Sequence, residues 1–252
     1  MKADLRHKRI IDEINKFDFC EIYDMANLLN VSESTIRNDL NLLEKKGLLI
    51  RNHGGAIKKE DKNIVNLTNN SYSNEENKER IVKEAVKLIK ENDTVILNSG
   101  STATLLAKEI SLINNIKVVT NNLIAAYIIS KNSNIILMVT GGTVKHNSFS
   151  MHGEAAESSL SGIKGDILFM GADAIDSISG ITTFKNDNAI SKVMSTVAKK
   201  IVCIIDSSKF GKVEANKVLD IQKINYLISD IYVPHEEQIK FKEILNEKFI
   251  MV

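Results

Sequence analysis

Beyond residue 77 the chain repeats one rhythm: a short apolar run, a polar turn, an amphipathic stretch. The runs Val95–Leu97, Lys117–Val119, Ile135–Val139, Ile167–Met170, Ile201–Ile205 and Tyr226–Ile228 are mostly β-branched or leucine. Arg80–Lys90, Thr102–Ile110, Leu123–Ser130, Ala189–Lys199 and Glu236–Asn246 place apolar residues at helical spacing and separate most of these runs. Parallel strands need a crossover of a dozen or more residues, and a helix supplies it. Helices then cover both faces of the sheet, so its strands are apolar throughout rather than alternating. The rhythm predicts an α/β domain over residues 77–252 built on a parallel sheet.

Each strand ends in small polar residues. Asn98-Ser99-Gly100-Ser101-Thr102, Thr120-Asn121-Asn122, Thr140-Gly141-Gly142, Gly171-Ala172-Asp173 and Asp206-Ser207-Ser208-Lys209 follow five successive runs. In a parallel sheet these carboxyl ends share one edge, where open α/β folds bind ligands. Taken singly they are ordinary turn and cap residues. Together they favour a small phosphorylated or polyhydroxylated ligand: glycines admit close approach, amides and hydroxyls hold sugar hydroxyls, and helix-start N–H groups hold phosphate. Lys209 is the candidate counter-charge for a phosphate, against the plainer reading of a surface lysine before a reversal at Gly211. Asp173 and Lys192 are carried as ligand contacts, with plain structural roles left open.

The first sixty residues read differently. Ile10, Ile14 and Phe17 form one amphipathic stripe and Ile22, Ala26 and Leu29 another. Ser32 is a natural N-cap for a third helix carrying Ile36, Leu40 and Leu43 inward, and Gly47 can end it in the left-handed conformation. Leu48–Arg51 and Ala56–Lys58 flank Asn52-His53-Gly54-Gly55, the chemistry of a hairpin tip. Three helices followed by a hairpin predict a winged helix-turn-helix over residues 1–59, its bihelical unit at about 20–39, joined to the body by a polar connector over residues 60–76.

The outer face of the third helix presents Ser34, Thr35, Arg37, Asn38 and Asn41, groups able to read base edges and phosphates. Backbone N–H groups of the Ser32–Thr35 turn are free to hold a phosphate. From residue 37 to residue 59, Arg37, Lys45, Lys46, Arg51, Lys58 and Lys59 face only Asp39 and Glu44, a local charge of +4 in a chain of net charge +1. Positive potential is thus confined to one stretch, which points to duplex DNA as partner. Lys45 and Lys46 equally suit a solvated helix end. Arg51 and His53, beside the Gly-Gly tip, complete the candidate DNA contacts, together with Ser32.

Hydrophobic residues at 43% and charged residues at 26% exclude wholesale disorder. The cysteines, Cys20 and Cys203, lie far apart and outside any C-x-x-C pair, which argues against a disulfide scaffold and suits a reducing compartment. The charged start lacks the apolar core of a signal peptide, and no apolar run approaches the roughly 18 residues of a membrane helix. A cytoplasmic protein without a membrane partner is expected. His146 and His152, six apart, do not fit a helical two-ligand spacing, so neither a metal nor another cofactor is expected.

Val31-Ser32-Glu33-Ser34-Thr35-Ile36-Arg37-Asn38-Asp39-Leu40, then Gly47 and Arg51-Asn52-His53-Gly54-Gly55-Ala56, resembles the DeoR family of bacterial regulators, whose pattern is close to V-S-x-x-T-I-R-R-D-L…G…R-x-H-G-G-A. Asn38 stands where the family usually has a second Arg, so either one phosphate contact is lost or an amide addresses a base such as adenine. The resemblance continues through the body, where the family's D-x-G-[ST]-T, T-N, G-G, G-A and D-x-S-K-F become Asn98–Thr102, Thr120-Asn121, Gly141-Gly142, Gly171-Ala172 and Asp206–Phe210. Asn98 replaces the usual acid. The resemblance implies a sensor domain related to ribose-5-phosphate isomerase that binds a sugar phosphate, and a repressor of sugar or nucleoside genes released from its operator by that effector. Since one head has few base contacts, a homodimer or homotetramer is expected.

The rival is a sugar-phosphate isomerase with a DNA-binding appendage, using Gly171–Asp176, Lys185 and Lys192. Such chemistry needs a carboxylate base. Where the resemblance places Glu, this chain has Asn188, which cannot take a proton, with Asp187 one position away. Catalysis is disfavoured, and no catalytic residue is assigned.

Overall fold

The computed structural model describes residues 3–17, 19–51, 55–58, 75–184 and 188–252. The chain divides into two compact units, Met1–Asn70 and Ser71–Val252.

In the first unit, α1 (Ala3–Phe17), α2 (Ile22–Leu29) and α3 (Glu33–Lys45) are accompanied by β1 (Phe19–Glu21), β2 (Leu49–Arg51) and β3 (Gly55–Lys58). Ile10, Ile14, Met25, Leu29, Ile36, Leu40, Leu43 and Leu49 make one buried core. Asn30 ends α2 in the left-handed region, Ser32 caps α3 by accepting from the Thr35 N–H, and Gly47 closes α3 at φ 72°. The expected hairpin gains a third strand: β1 pairs antiparallel with β3 in a sheet ordered β1-β3-β2. Gly55 explains the second glycine of the Gly-Gly pair. A Cβ there would lie 1.9 Å from the Cys20 carbonyl oxygen, so only glycine lets β1 close against β3.

Asp39 ties α1 to α3. Its carboxylate accepts from the Arg6 guanidinium at 3.0 Å and lies 2.9 Å from His7 Nε2. Burial would raise its pKa, but the hydrogen bonds and positive charge of Arg6 and His7 outweigh that and hold the carboxyl below its ordinary value.

The second unit begins with α4 (Glu75–Ala85), earlier than the periodicity of Arg80–Lys90 indicates. Then follow β4 (Thr94–Leu97), α5 (Ser101–Ile110), β5 (Ile116–Thr120), α6 (Leu123–Ile129), β6 (Ile135–Val139), β7 (Thr143–Lys145), β8 (Ser150–His152), α7 (Glu154–Ser158) and β9 (Gly165–Met170). The chain closes with β10 (Ala174–Asp176), β11 (Gly180–Thr183), α8 (Ala189–Val197), β12 (Ala198–Ile204), β13 (Asn216–Leu219), β14 (Tyr226–Ser229), α9 (His235–Leu245) and β15 (Phe249–Met251). Seven parallel strands, ordered β15-β14-β12-β9-β4-β5-β6, form the main sheet. All six expected strands lie in it, and β15 is the addition.

Alternate strand residues feed two cores. Val95, Leu97, Ile167 and Phe169 pack with Ile81, Leu106 and Ile129 of α4, α5 and α6. Ile96, Leu168 and Met170 pack with Ala156, Met194 and Phe241 of α7, α8 and α9. Phe169 is wholly buried, and truncating such a side chain to Ala costs about 3–5 kcal/mol. Helix α8 is shorter than the expected Ala189–Lys199, because Ala198 already pairs with Gly165 as the first residue of β12. The small antiparallel sheet β10-β11-β13 and the β7–β8 hairpin interrupt the α/β rhythm and lie above it as local additions.

The path of the chain fixes where a ligand can go. From β4 it steps outward through β5 to β6, then returns to β9 on the opposite side of β4 and steps outward through β12 to β15. Connections diverge above β4 and β9, leaving a crevice at their carboxyl ends.

Candidate functional site

On α3 the inward positions Ile36, Leu40 and Leu43 turn the other face to solvent, and Ser34, Arg37, Asn38 and Asn41 are exposed there with Lys45. Their neighbours engage most of them. Ser32 Oγ lies 2.8 Å from Ser34 Oγ and 2.9 Å from Thr35 Oγ1, a hydroxyl cluster at the helix start. Arg37 Nη2 donates to Glu33 Oε2 at 2.7 Å, one turn back. The Arg51 guanidinium donates to the Asn41 side-chain Oδ1, and its main-chain N–H donates to Glu44 Oε1 at 2.8 Å. These bonds dock β2 on the exposed face of α3, so helix and hairpin present one surface. His53 lies outside the described residues, as does most of the 60–76 connector.

In the second unit a cavity of about 230 Å³ opens at the crevice above β4, β9 and β12. That is below the range for drug-sized ligands and suits a small metabolite. The sequence-predicted residues Asn98, Ser99, Gly100, Ser101, Thr102, Asp173, Asp206 and Lys209 line it. Asn98 is buried, donating to Ser191 Oγ at 2.9 Å and accepting from the Ser99 N–H at 2.7 Å. The turn is thereby set so that α5 begins at the cavity, with Gly100 at φ 138° as its cap. The first N–H groups of a helix have no partner within it and favour an anion.

Two lysines approach from different elements. Lys209 follows β12, and Lys78 reaches in from α4 with its Nζ 3.3 Å from Ser101 Oγ. Burial holds the Lys78 pKa below the ordinary lysine value and the positive charge of Lys209 adds to this, while Asp206 and Glu75 act in the opposite sense. Asp206 is buried and accepts from the Ser208 N–H at 3.1 Å. Asp173 accepts from Thr183 Oγ1, and Asn188 and Ser191 of the α8 start complete this wall.

Lys78 is the main residue the sequence reading passed over. The signal was present: with Ile81, Val82 and Ala85 it occupies the buried face of α4, an inward lysine on an apolar stripe.

Other sequence-predicted contacts fall elsewhere. Lys192 is exposed and does not line the cavity, whereas its neighbour Ser191 does. Thr120, Asn121 and Asn122 are wholly or almost wholly buried, away from the lining. Thr120 Oγ1 donates to the Leu97 carbonyl at 2.7 Å, and Asn122 caps α6 while donating to Thr104 Oγ1 at 2.9 Å. Gly141 and Gly142 are also off the lining; a Cβ on Gly142 would lie 2.5 Å from the His152 carbonyl, so the residue serves close packing of the β6–β7 turn. Lys185 and Asp187 lie outside the described residues.

Among the described residues, no cluster of three His, Cys, Asp or Glu side chains is placed to hold a metal, and no helix is long and apolar enough to cross a membrane.

Residues 6–62 match the family model described as the DeoR-like helix-turn-helix domain, and residues 73–231 match the DeoR C terminal sensor domain. The HTH-type transcriptional regulator GolR of Listeria innocua is 33% identical over 227 residues, 89% of each chain. The putative aga operon transcriptional repressor of Escherichia coli O157:H7 is 34% identical over 241 residues, 91% of this chain and 87% of that one. Among solved structures, ribose 5-phosphate isomerase A of Methanocaldococcus jannaschii matches 55% of each chain at 23% identity, with a TM-score of 0.42.

Proposed function

The chain belongs to the DeoR family of helix-turn-helix transcriptional regulators, and from that premise we propose that it leaves its operator when a small phosphorylated sugar, or a metabolite of that chemistry, enters the cavity of its second unit. It is a DNA-binding regulator and not an enzyme, as the relatives matched along most of their length are named regulators or repressors. The proposal concerns the ligand, the direction of the response and the residues that carry each contact.

One observation carries it: Lys78, Lys209 and the first turn of α5 line the same small cavity. Two cations and a helix N-terminus favour an anion such as a phosphate monoester on their side of the cavity, while Asp173 and Asp206 on the same lining, bonded to Thr183 and Ser208, suit ligand hydroxyls. The surrounding Ser, Thr and Asn side chains suit hydroxyls. Asn98–Thr102, Asp173, Asp206 and Lys209 are therefore retained as effector contacts, and Lys78 joins them.

In the first unit the proposed DNA surface is Ser32, Ser34, Thr35, Arg37, Asn38, Asn41 and Arg51. Helix α3 enters the major groove with its amino-terminal residues on base edges, and Arg37 and Arg51 hold phosphates or guanine. Operator affinity and effector affinity are then linked: a ligand that prefers the DNA-free arrangement must weaken DNA binding by the same factor that DNA weakens its own. Two or more heads on repeated half-sites give the contact area that one head lacks, so the working assembly is a homodimer or homotetramer; a phosphorylated sugar as effector would make sugar or nucleoside metabolism genes its targets.

The test combines two measurements on the full chain. Fluorescence anisotropy follows binding to DNA from upstream of its own gene while a panel of sugar phosphates and the corresponding free sugars is added. Thermal unfolding is recorded with the same panel. A phosphorylated compound that raises the unfolding temperature and releases DNA, where its free sugar does neither, supports the reading. Equal response to both classes, or to neither, overturns it.

A further inference from the structure

The β7–β8 hairpin forms a wall of the cavity, and the motif expected to touch ligand instead holds this hairpin in place. Ser148, Ser150 and His152 line the cavity. Ser148 Oγ and Ser150 Oγ are 2.7 Å apart, and Ser150 Oγ is 2.7 Å from His152 Nε2, so the three side chains form a continuous hydrogen-bonded row. Between the serines, Phe149 adopts φ 48°, a conformation that a bulky side chain rarely takes and that costs roughly 1–3 kcal/mol.

The cost is met by a clamp from the turn after β5. The Leu123 N–H donates to the Phe149 carbonyl at 2.9 Å, and the Met151 N–H donates to the Asn121 carbonyl at 2.8 Å. The Asn121 side chain donates to the Met151 carbonyl at 3.2 Å, and Asn122 forms a β-bridge with Ser150. The hairpin is thus fixed over the carboxyl end of β5. β12, which Lys209 follows, lies three strand spacings from β5 across β9 and β4, roughly 14 Å of sheet, while Lys78 Nζ meets Ser101 Oγ after β4, the neighbour of β5. An anion held by the lysines leaves the rest of a small ligand extending toward the serine row.

We propose that the Ser148–Ser150–His152 row is the specificity-determining wall of the sensor, reading the configuration of hydroxyls on the part of the ligand remote from its phosphate, with Asn121 as its positioning residue. This rests on the sugar-phosphate reading above. A row of hydroxyls and one imidazole offers donors and acceptors whose roles can be exchanged, the chemistry needed to tell a hydroxyl from its epimer. Asn121 acts through the hairpin and touches no ligand.

The experiment measures affinities of the full chain for inorganic phosphate, for glucose, galactose and mannose 6-phosphates, and for ribose and arabinose 5-phosphates. These are repeated for Ser148→Ala, Ser150→Ala and Asn121→Ala. The native chain prefers one member of an epimeric pair, and each variant lowers that preference by about fivefold, one uncharged hydrogen bond's worth, while inorganic phosphate keeps its affinity within twofold. A preference unchanged in Ser148→Ala and Ser150→Ala overturns the wall. Equal weakening of every compound, phosphate included, also overturns it, since that is the signature of a general structural role. If native protein binds none of the sugar phosphates, the ligand reading itself fails and takes this inference with it.

Discussion

Arg6 of α1 and Asp39 of α3 form a largely buried ion pair, with side-chain exposures of 12% and 8%. Removing one partner of such a pair leaves the other desolvated and uncompensated, at a cost of about 2–4 kcal/mol. Asp39→Ala therefore loosens the packing of α1 on α3, read as faster amide hydrogen exchange in those helices and unchanged exchange in the parallel sheet. The pH dependence follows from the lowered Asp39 pKa. A carboxylate with a depressed folded-state pKa contributes stability that is complete above its unfolded value of about 3.9 and disappears as pH falls through the folded value. Protection of α1 and α3 drops below about pH 4 in the native chain. A flat profile down to pH 2 would contradict the assignment.

Arg37 is held by Glu33 before any DNA arrives. The pair is exposed and worth little in stability, but Glu33 competes with phosphate for the guanidinium and adds its own repulsion. Glu33→Gln is expected to tighten binding to upstream DNA about two- to fivefold at low salt, a gain that shrinks as salt screens it. Arg37→Ala weakens binding and lowers the slope of log affinity against log salt by about one. Anisotropy titrations across a salt series measure both; an Arg37→Ala slope equal to native removes Arg37 from the phosphate contacts.

Lys78 sits where a cation is costly. Its pKa is lowered chiefly by burial, so carrying the charge costs the folded unit stability. Below the folded-state pKa its charge destabilises the unit, and stability increases as pH rises through that value. Lys78→Met is expected to raise the unfolding temperature of the free protein and to remove the upward shift produced by a phosphorylated ligand. In the native chain the same shift fades at alkaline pH as Lys78 loses its proton. Thermal scans between pH 6 and 10 test both; a variant less stable than native that still responds to phosphate rules out this role.

Gly55 lets β1 approach β3, and its absent Cβ occupies space beside the Cys20 carbonyl. Gly55→Ala pushes the strands apart and, because β3 also pairs with β2, misplaces Arg51 against Asn41. Operator affinity falls severalfold while ligand-induced stabilisation of the second unit is retained. Native DNA affinity in this variant would show that β1 is dispensable.

The division into a helical head and a parallel-sheet body was legible because each rests on a repeated local signal, period 3.6 in α1 to α3 and mostly apolar runs in β4, β5, β6, β9, β12 and β14. β1 and β15 escaped notice because three residues carry no period, and only their tertiary partners make them strands. The cavity was half legible. Turns after β4, β9 and β12 were rightly grouped at one sheet edge, but strand order decides which turns are neighbours, and order is not written in local sequence. Asn121, Asn122 and Gly142 therefore looked like ligand contacts although they support the wall behind it. Lys78 was missed because the expected helix began at Arg80, whereas the helix starts at Glu75 and carries Lys78 on its buried face.

The hairpin that carries Ser148 and Ser150 belongs to the long return between β6 and β9, where its strands pair with each other and bridge only to the turn after β5, leaving every register of the parallel sheet untouched. On the proposed reading, substitutions there change which ligand is preferred while Lys78, Lys209 and the sheet stay as they are. Under that proposal the hairpin is a replaceable faceplate on a fixed chassis, and a regulator of this build can change its ligand without being rebuilt.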